Sequence, residues 1–415
     1  MKPLIHGISL NPLKCSGCTN CIKLCPTEAI RVKEGKARII ESKCIHCGTC
    51  VHVCPSNAFT GIAHDLEDIF QYPYRVALID PVLYSQFDES ITPSQIINTM
   101  KVYGFDNVHE IAQGSRLISE FGKKHITNSP NLPVISSSCP AILRLIQLKY
   151  HDLIKNILPI ISPVEIAAHS IRKKTVDELG IPKKDIGIFY ISPCTAQIYN
   201  FQHPLGTKTS NVDGVLSIKC LFLMISKNLK PFDNENIYYP SGKEMDWARV
   251  EGESKMLGVQ EYLAIDGIEN VTEVLEEIES QKIKNLLFIE CRACTNGCVG
   301  GCLTVENHFV AMNRIRRLAA KHYCYPAVKV KEATESFLFT NEIPPLYTTK
   351  LDLDFAKAIE KLMEIEEVLT SLPGIDCGAC GSPSCRALAE DVVLGYAKTE
   401  DCMVDLKNSK FSSTF

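Results

Sequence analysis

Cysteine spacing constrains this chain more than any other feature. The run Cys15-x2-Cys18-x2-Cys21-x3-Cys25-Pro26 is followed by Cys44-x2-Cys47-x2-Cys50-x3-Cys54-Pro55, the same intervals used twice. Twenty of the 415 residues are cysteine. Disulfides do not persist in a reducing compartment, so thiols at this density point to metal. The alternative is a set of scattered buried thiols packing as small hydrophobes. Regular spacing argues for the first, because tetrahedral sites with soft donors take four thiolates each.

The two runs have the spacing of bacterial two-cluster ferredoxins, in which the fourth cysteine of each run ligates the other cluster. The expected ligand sets are Cys15, Cys18, Cys21 with Cys54, and Cys44, Cys47, Cys50 with Cys25. The segments TEAIRV and SNAFTG, after the two prolines, read as short helices leading to strands. Zinc is the alternative for any CxxC pair, but two full copies with trailing prolines argue against it.

Composition excludes several classes. Hydrophobic residues make up 45% and charged residues 22%, the balance of a globular protein. A net charge of −4 offers no basic footprint for nucleic acid. The opening MKPLIHGISLNPLKC has no apolar stretch of the signal-peptide kind, and no apolar run reaches the roughly 18 residues of a membrane span. The expectation is a cytoplasmic protein of three domains: residues 1–62 with the paired runs, 70–345 in the middle, and 352–415 at the C-terminal end.

The C-terminal region begins with a helical stripe, Phe355, Ile359, Leu362, Ile365 and Leu369, expected to be core. LPGIDCGACGSPSCRALAED then presents Cys377-x2-Cys380-x4-Cys385, with Cys402 beyond. Glycines beside the first two cysteines free backbone amides to face an anionic cluster. Pro383 suits the first turn of a helix carrying Cys385. This stretch resembles the small 4Fe-4S domain of Rnf-type electron-transfer subunits and corrinoid iron–sulfur proteins. Four cysteines also suit zinc.

The middle region alternates between strand and helix, which predicts parallel sheet flanked by helices. RVALID, NVHEIA, LPVISSS, DIGIFYIS and NLLFIE read as strands. PSQIINTMKVYGF, AILRLIQLKYHDLIKNI, SPVEIAAHSIRKKTVDEL and ENHFVAMNRIRRLAAKH read as helices. VISSSC ends at Cys139, FYISPC at Cys194, and LFIEC opens a run with Cys294 and Cys298. Each lies just past the carboxyl end of a strand, where open parallel sheets bind ligands. These four cysteines are therefore expected to converge on one site. Inert thiols at strand ends are the alternative.

SSSCPAI, SPCTAQ and ECRACTNGCVGG resemble the three signature motifs of FeFe hydrogenases, in order, and the resemblance extends over nearly the whole chain. It is nearest to divergent clades thought to be sensory, which share the C-terminal cluster domain. The resemblance implies an H-cluster: a 4Fe-4S cube held by Cys139, Cys194, Cys294 and Cys298, the last bridging to a two-iron unit with CO, cyanide and azadithiolate ligands. Gly297, Gly300 and Gly301 would leave room for that unit. Cys291 and Cys302 fall outside the family pattern. For Cys220 and Cys324, buried packing is the expectation.

Several positions depart from the family. Ser138 stands where a cysteine usually relays protons, and a hydroxyl releases a proton far less readily than a thiol. Gln197 replaces a lysine that pairs with cyanide. Ser192 and Arg292 replace two methionines, and Arg292 is expected to supply the positive charge that Gln197 lacks. The usual relay glutamates have no counterpart in EIAQGSRLISEF. Glu120, Glu165 and Glu290 are the remaining candidates.

Two functions follow. The first is an FeFe hydrogenase-like protein that interconverts H2 with protons and electrons, slowly and as a hydrogen or redox sensor, with three accessory 4Fe-4S clusters as a relay. The second is an electron-transfer protein that holds the cube without the two-iron unit. Either implies a redox partner protein or a downstream signalling protein. Anaerobic reconstitution is expected to load about 16 irons outside any two-iron unit. Cys385→Ala is expected to remove one cube's iron by metal analysis and leave the ferredoxin-type signals. Zinc at that site would refute its place in an electron relay.

Overall fold

Each cysteine run folds into a loop, one short helix and a strand. β1 (Ile8–Leu10) precedes the first run, whose helix Asn20–Lys23 leads past Cys25 into β2 (Ile30–Lys33). β2 forms an antiparallel hairpin with β3 (Lys36–Ile39). The second run repeats the plan: helix Thr49–Val53 leads past Cys54 into β4 (Phe59–Gly61), which pairs with β1. The helices thus precede the prolines and do not follow them as expected. TEAIRV and SNAFTG instead turn through Glu28 and Asn57, at φ of 51° and 48°, directly into strand. The equivalence reaches the sulfurs. Ala29 N donates to Cys25 Sγ and Ala58 N to Cys54 Sγ, each at 3.2 Å.

The structure, a computed structural model, describes residues 6–229, 242–321, 337–348 and 351–404. The chain divides into two units. One comprises Met1–Gly7, His46–Gly48 and Gly61–Pro344; the other comprises Ile8–Ile45, Thr49–Thr60 and Pro345–Phe415. Most of the paired-run segment therefore shares a unit with the C-terminal region, which the sequence reading had kept apart.

β2 makes the join. Val32 N donates to Gly381 O at 2.8 Å, and a Cβ added to Gly381 (φ +85°) would lie 1.7 Å from Val32 O. Only glycine fits there. Arg31 Nε donates to Asp391 Oδ2 at 2.5 Å, with both side chains about nine-tenths buried. Lys33–Asp401 and Lys43–Glu390 pairs, at 2.9 and 3.1 Å, flank it. Asp391 and Glu390 lie on the helix Cys385–Val393, which starts on the N-cap Ser384. Pro383 precedes the cap and is not in the first turn as expected.

The C-terminal stripe is only partly core. Ile365 is 2% exposed and packs with Leu372, Leu388 and Ala389, whereas Phe355 is 82% and Ile359 and Leu362 are each 44% exposed. The helix Phe355–Ser371 has 17 residues and its packing partner Cys385–Val393 only 9, so its N-terminal turns run past their cover.

The other unit holds two all-parallel sheets flanked by helices, as the alternation of strand and helix predicts. β5 (Tyr74–Ile79), β6 (Asn107–Glu110), β8 (Ile186–Ser192) and β9 (Gly214–Ser217) form one in the order β6-β5-β8-β9. β7 (Val134–Ile135), β10 (Tyr262–Asp266) and β11 (Phe288–Arg292) form the other, ordered β10-β11-β7. β9 and β10 were not anticipated. All seven residues of β8 are buried, as in a parallel strand covered on both faces. LPVISSS shrinks to two strand residues because its serines turn to side-chain partners. Ser136 Oγ donates to Glu253 and Ser137 Oγ to Ile160 O at 2.7 Å. Helices follow most strands, among them Pro93–Val102, Pro140–Lys149, Pro163–Leu179 and His308–Lys321. The helix expected through residue 157 ends at Lys149, and His151–Asn156 continue as a 3-10 turn.

Asp391→Ala leaves Arg31 buried without its carboxylate, a loss expected to cost ~3–5 kcal/mol. Urea unfolding of the full chain, followed by the absorbance of the ferredoxin-type clusters, is expected to shift to lower denaturant. Asp391→Asn, which keeps one acceptor oxygen, is expected to shift less. Coincident unfolding curves for wild type and Asp391→Ala would refute the join.

Candidate metal centre

Three strand ends deliver four cysteines to one cavity. β7 runs through three serines to Cys139, the N-cap of Pro140–Lys149. β8 runs through Pro193 to Cys194, the N-cap of Thr195–Gln202. β11 runs to Cys294, and Gly297 then turns the chain into the 3-10 segment Cys298–Gly300. Cys139, Cys194, Cys294 and Cys298 all line the cavity, as do Ser138, Gln197, Arg292 and Gly297.

The electrostatics show how near the sulfurs are. Burial pushes the Cys294 thiol well above the ordinary value, and the charges of Cys194, Cys139, Cys302 and Cys298 add to it. Cys194 is raised by burial and by Cys298, Cys302 and Cys139. Cys298 rises to about 12 through burial, opposed by Arg292. Four thiols that line one cavity and repel one another as thiolates need positive charge at their centre. The donor set, four convergent soft sulfurs, fits an iron–sulfur cube.

A polar network backs the cavity. Ser138 Oγ donates to Glu253 Oε1 at 3.1 Å, and Ser136 Oγ donates to the same carboxylate at 2.7–2.8 Å. Arg292 donates through Nη2 to Glu253 Oε2 at 2.9 Å and through Nε to Glu290 Oε1 at 3.2 Å. Ser254 donates to Glu290 through N and Oγ, both at 2.9 Å. Glu253, Glu290 and Arg292 are all buried. Burial raises Glu253 to about 7, with Arg292 opposing and Glu290 adding. The guanidinium of Arg292 is thus committed to two carboxylates, so the free positive charge expected of it is largely spent.

Glu253 was not among the residues singled out from the sequence. It lies in no motif, and only the fold sets it behind Ser138. Of the carboxylates that were weighed, Glu290 belongs to this network. Glu165 is tied up by Ser210 and Asn211, and Glu120 lies on an exposed face beside Arg116. Asp80, at the end of β5, was also passed over. It lines the cavity, accepts from Tyr190 Oη at 2.9 Å and from Val82 N at 3.0 Å, and is raised by burial to about 6. Its place after RVALID, at a strand's carboxyl end, was the available signal. Ser192 instead braces the Cys194 turn, donating to Cys194 O at 3.0 Å.

The glycines serve a different purpose from the one expected. A Cβ on Gly300 would meet Thr295 O at 2.1 Å, and one on Gly301 would meet Pro193 O at 2.3 Å. Neither lines the cavity. Close backbone crossings, and not a bulky ligand, exclude side chains there. Gly297 does line it, but its missing Cβ faces the backbone of Arg249 and Val250.

The unassigned cysteines divide. Cys291 is fully buried in β11, its thiol raised by burial. Cys302 is buried with Sγ 3.5 Å from Thr195 Oγ1, and that hydroxyl donates to His46 O at 2.7 Å. The threonine proton is used, so the Cys302 thiol is the donor of the pair. Gly48 packs against it so closely that a Cβ there would lie 2.4 Å from the sulfur. Cys220 is exposed, contrary to expectation, because it falls on the outer face of the helix Ile218–Lys227. Cys324 lies outside the described residues.

Among the accessory cysteines, Cys21 is raised to about 11 by burial and then by Cys15, Cys18 and Cys54, which places those four thiols close together. Cys380 and Cys385 pack against the core that contains Cys402, while Cys377 is exposed.

Residues 74–255 and 235–302 match the family described as "Iron only hydrogenase large subunit, C-terminal domain". Residues 7–55 match a 4Fe-4S dicluster domain and residues 372–404 an Fe-S cluster family. The chain is similar to "Iron hydrogenase 1" of Clostridium pasteurianum, 24% identical over an alignment of 255 residues that covers 50% of this chain and 44% of that protein. It is similar to "NADP-reducing hydrogenase subunit HndD" of Solidesulfovibrio fructosivorans, 21% identical over an alignment of 210 residues that covers 48% of this chain and 33% of that one. The chain thus spans less than half the length of these curated relatives. A solved variant of the FeFe hydrogenase HydA1 from Chlamydomonas reinhardtii aligns at 15% identity and a TM-score of 0.47, over 60% of this chain and 84% of that one. With more than half of its residues inside the first match, this chain belongs to the iron-only hydrogenase large-subunit family.

Proposed function

We propose that the chain is an H-cluster protein that interconverts H2 with protons and electrons, at a low rate suited to sensing hydrogen or redox state. The observation that carries this reading is that Cys139, Cys194, Cys294 and Cys298 line one cavity whose wall also holds Ser138, hydrogen-bonded to Glu253. A two-iron unit bound beside the cube would supply the centre at which hydrogen is formed or split.

The chain's own residues then move protons. Ser138 stands on the cavity wall with its Oγ bonded to Glu253 Oε1. Serine alone is far from the pKa optimum for transfer near neutral pH, but a carboxyl raised to about 7 sits on it. Glu253 holds the proton, and the Ser138 hydroxyl hands it across by exchanging its own. Ser136 and Arg292 fix the carboxylate in place. Sixteen cysteines serve four cubes in this reading: the two ferredoxin sets, the cavity set, and Cys377, Cys380, Cys385 and Cys402. The accessory cubes held by these cysteines would supply a path for electrons to a redox partner or signalling protein, and the likeness to a subunit of an NADP-reducing hydrogenase supports a protein partner. No helix among the described residues is long and apolar enough to cross a membrane.

Loading the reconstituted protein with a synthetic two-iron complex is expected to give infrared bands of bound CO and cyanide. Their absence would leave the electron-transfer reading in its place. In the loaded protein, Glu253→Gln keeps the shape and a partner for Ser138 but cannot titrate. Hydrogen evolution is expected to fall ~10²–10⁴-fold. Wild-type evolution, which needs a protonated donor, is expected to decline as pH rises through about 7, the value to which Glu253 is raised, and Glu253→Gln is expected to lose that inflection. Ser138→Cys, which restores a thiol, is expected to raise the rate. An unchanged rate and pH profile in Glu253→Gln would exclude this route.

A further inference from the structure

Two residues that line the cavity each carry a buried hydrogen-bond donor with no acceptor among the described residues. Trp247 Nε1 and Ser115 Oγ are buried and lack a hydrogen-bond partner among the described residues, and both residues line the cavity. Trp247 is 4% and Ser115 0% exposed. Three other polar side chains on the wall, those of Arg292, Ser138 and Tyr190, are engaged, and Gln197 lines the cavity beside them. Arg292 donates to Glu253, to Glu290 and to the Trp247 carbonyl; Ser138 donates to Glu253; Tyr190 donates to Asp80. A buried donor left unmatched costs ~1–3 kcal/mol. Two on one wall therefore point to an acceptor that enters the cavity from outside the polypeptide.

Their position narrows what that acceptor is. Trp247 belongs to the 3-10 segment Gly242–Ala248, and Ser115 to the helix Ala112–Thr127. Neither element carries any of the four cysteines, so the donors reach the cavity from walls other than those that deliver the thiols. Both donors are uncharged, and the nearest guanidinium is already paired. An acceptor met this way is compact and needs no full counter-charge. Resting on the proposed function, we infer that Trp247 and Ser115 are positioning residues that hold the terminal ligands of the two-iron unit, donating to the acceptor atoms of cyanide or CO. Gln197 then need not take over the task of a charged residue.

Cyanide and CO stretching frequencies respond to hydrogen bonds on the ligand, so infrared spectra read the assignment without turnover. Trp247 is also the only tryptophan in the chain. Its indole band in ultraviolet resonance Raman spectra, which reports N–H hydrogen bonding, is a single-site signal. The experiment compares full-length wild type, Trp247→Phe, Ser115→Ala and Ser115→Thr, each with its cubes and after loading with the synthetic two-iron complex. Equal iron content before loading establishes that the variants fold. We expect Trp247→Phe and Ser115→Ala each to displace a cyanide or CO band, and Ser115→Thr, which keeps the hydroxyl, to return that band toward its wild-type position. The wild-type indole band is expected to move toward the hydrogen-bonded frequency on loading. Bands that stay in place in both variants, with an indole band already hydrogen-bonded before loading, would overturn the inference and assign the donors to water or to cube sulfide. If only one variant leaves the bands in place, the inference is overturned for that residue. A wild type with no CO or cyanide bands would sink the proposed function and this inference with it, whereas unmoved bands sink the inference alone.

Discussion

The unit built on parallel sheets is organised around one electrostatic demand: four thiols that line one cavity, and that repel one another as thiolates, must share a centre of positive charge. Parallel strands can meet that demand because all of their carboxyl ends point the same way within a sheet. Here two sheets contribute, β8 from one and β7 and β11 from the other. Each strand stops just before its cysteine and passes into a turn or helix, which frees backbone amides near sulfur. The amide of Gln197, one turn into the helix after Cys194, lies against that thiol and lowers its pKa in opposition to burial.

A second layer of charge stands behind the first. Two carboxylates, Glu253 and Glu290, share the single guanidinium of Arg292 in a dry setting. One carboxylate is in excess, and burial keeps Glu253 on the edge of ionisation. Such a group gives or takes a proton near neutrality at little energetic cost, because neither of its states is far preferred. Ser138, a poor acid by itself, gains its relevance from this neighbour.

Much of this was legible in the sequence where a motif is local. The cysteine runs, the strand-end cysteines and the strands at RVALID, DIGIFYIS and NLLFIE are each written in a few consecutive residues. What was not legible depends on distant partners. Glu253 has no motif; it acquires a role because Ser138 and Arg292, both far away in the chain, turn toward it. Gly300 and Gly301 follow a cluster cysteine in the sequence, which suggests room for a bulky ligand, but the Thr295 and Pro193 backbones occupy that space. The stripe from Phe355 to Leu369 has helical periodicity whether or not its whole length is covered, and periodicity alone cannot report how long the partner helix is. The division of strands between two sheets was likewise out of reach, since alternation of strand and helix does not state which strands pair.

The union of the paired-run segment with the C-terminal region has a consequence for biosynthesis. Residues 8–45 and 49–60 leave the ribosome well before the helix bearing Asp391, which lies 360 residues after the buried Arg31 it neutralises, and before Gly381, which bonds to Val32. Until then Arg31 has no carboxylate and β2 lacks one of its bonding neighbours. The first-made cysteines therefore wait through the translation of the whole intervening unit before their own fold can close.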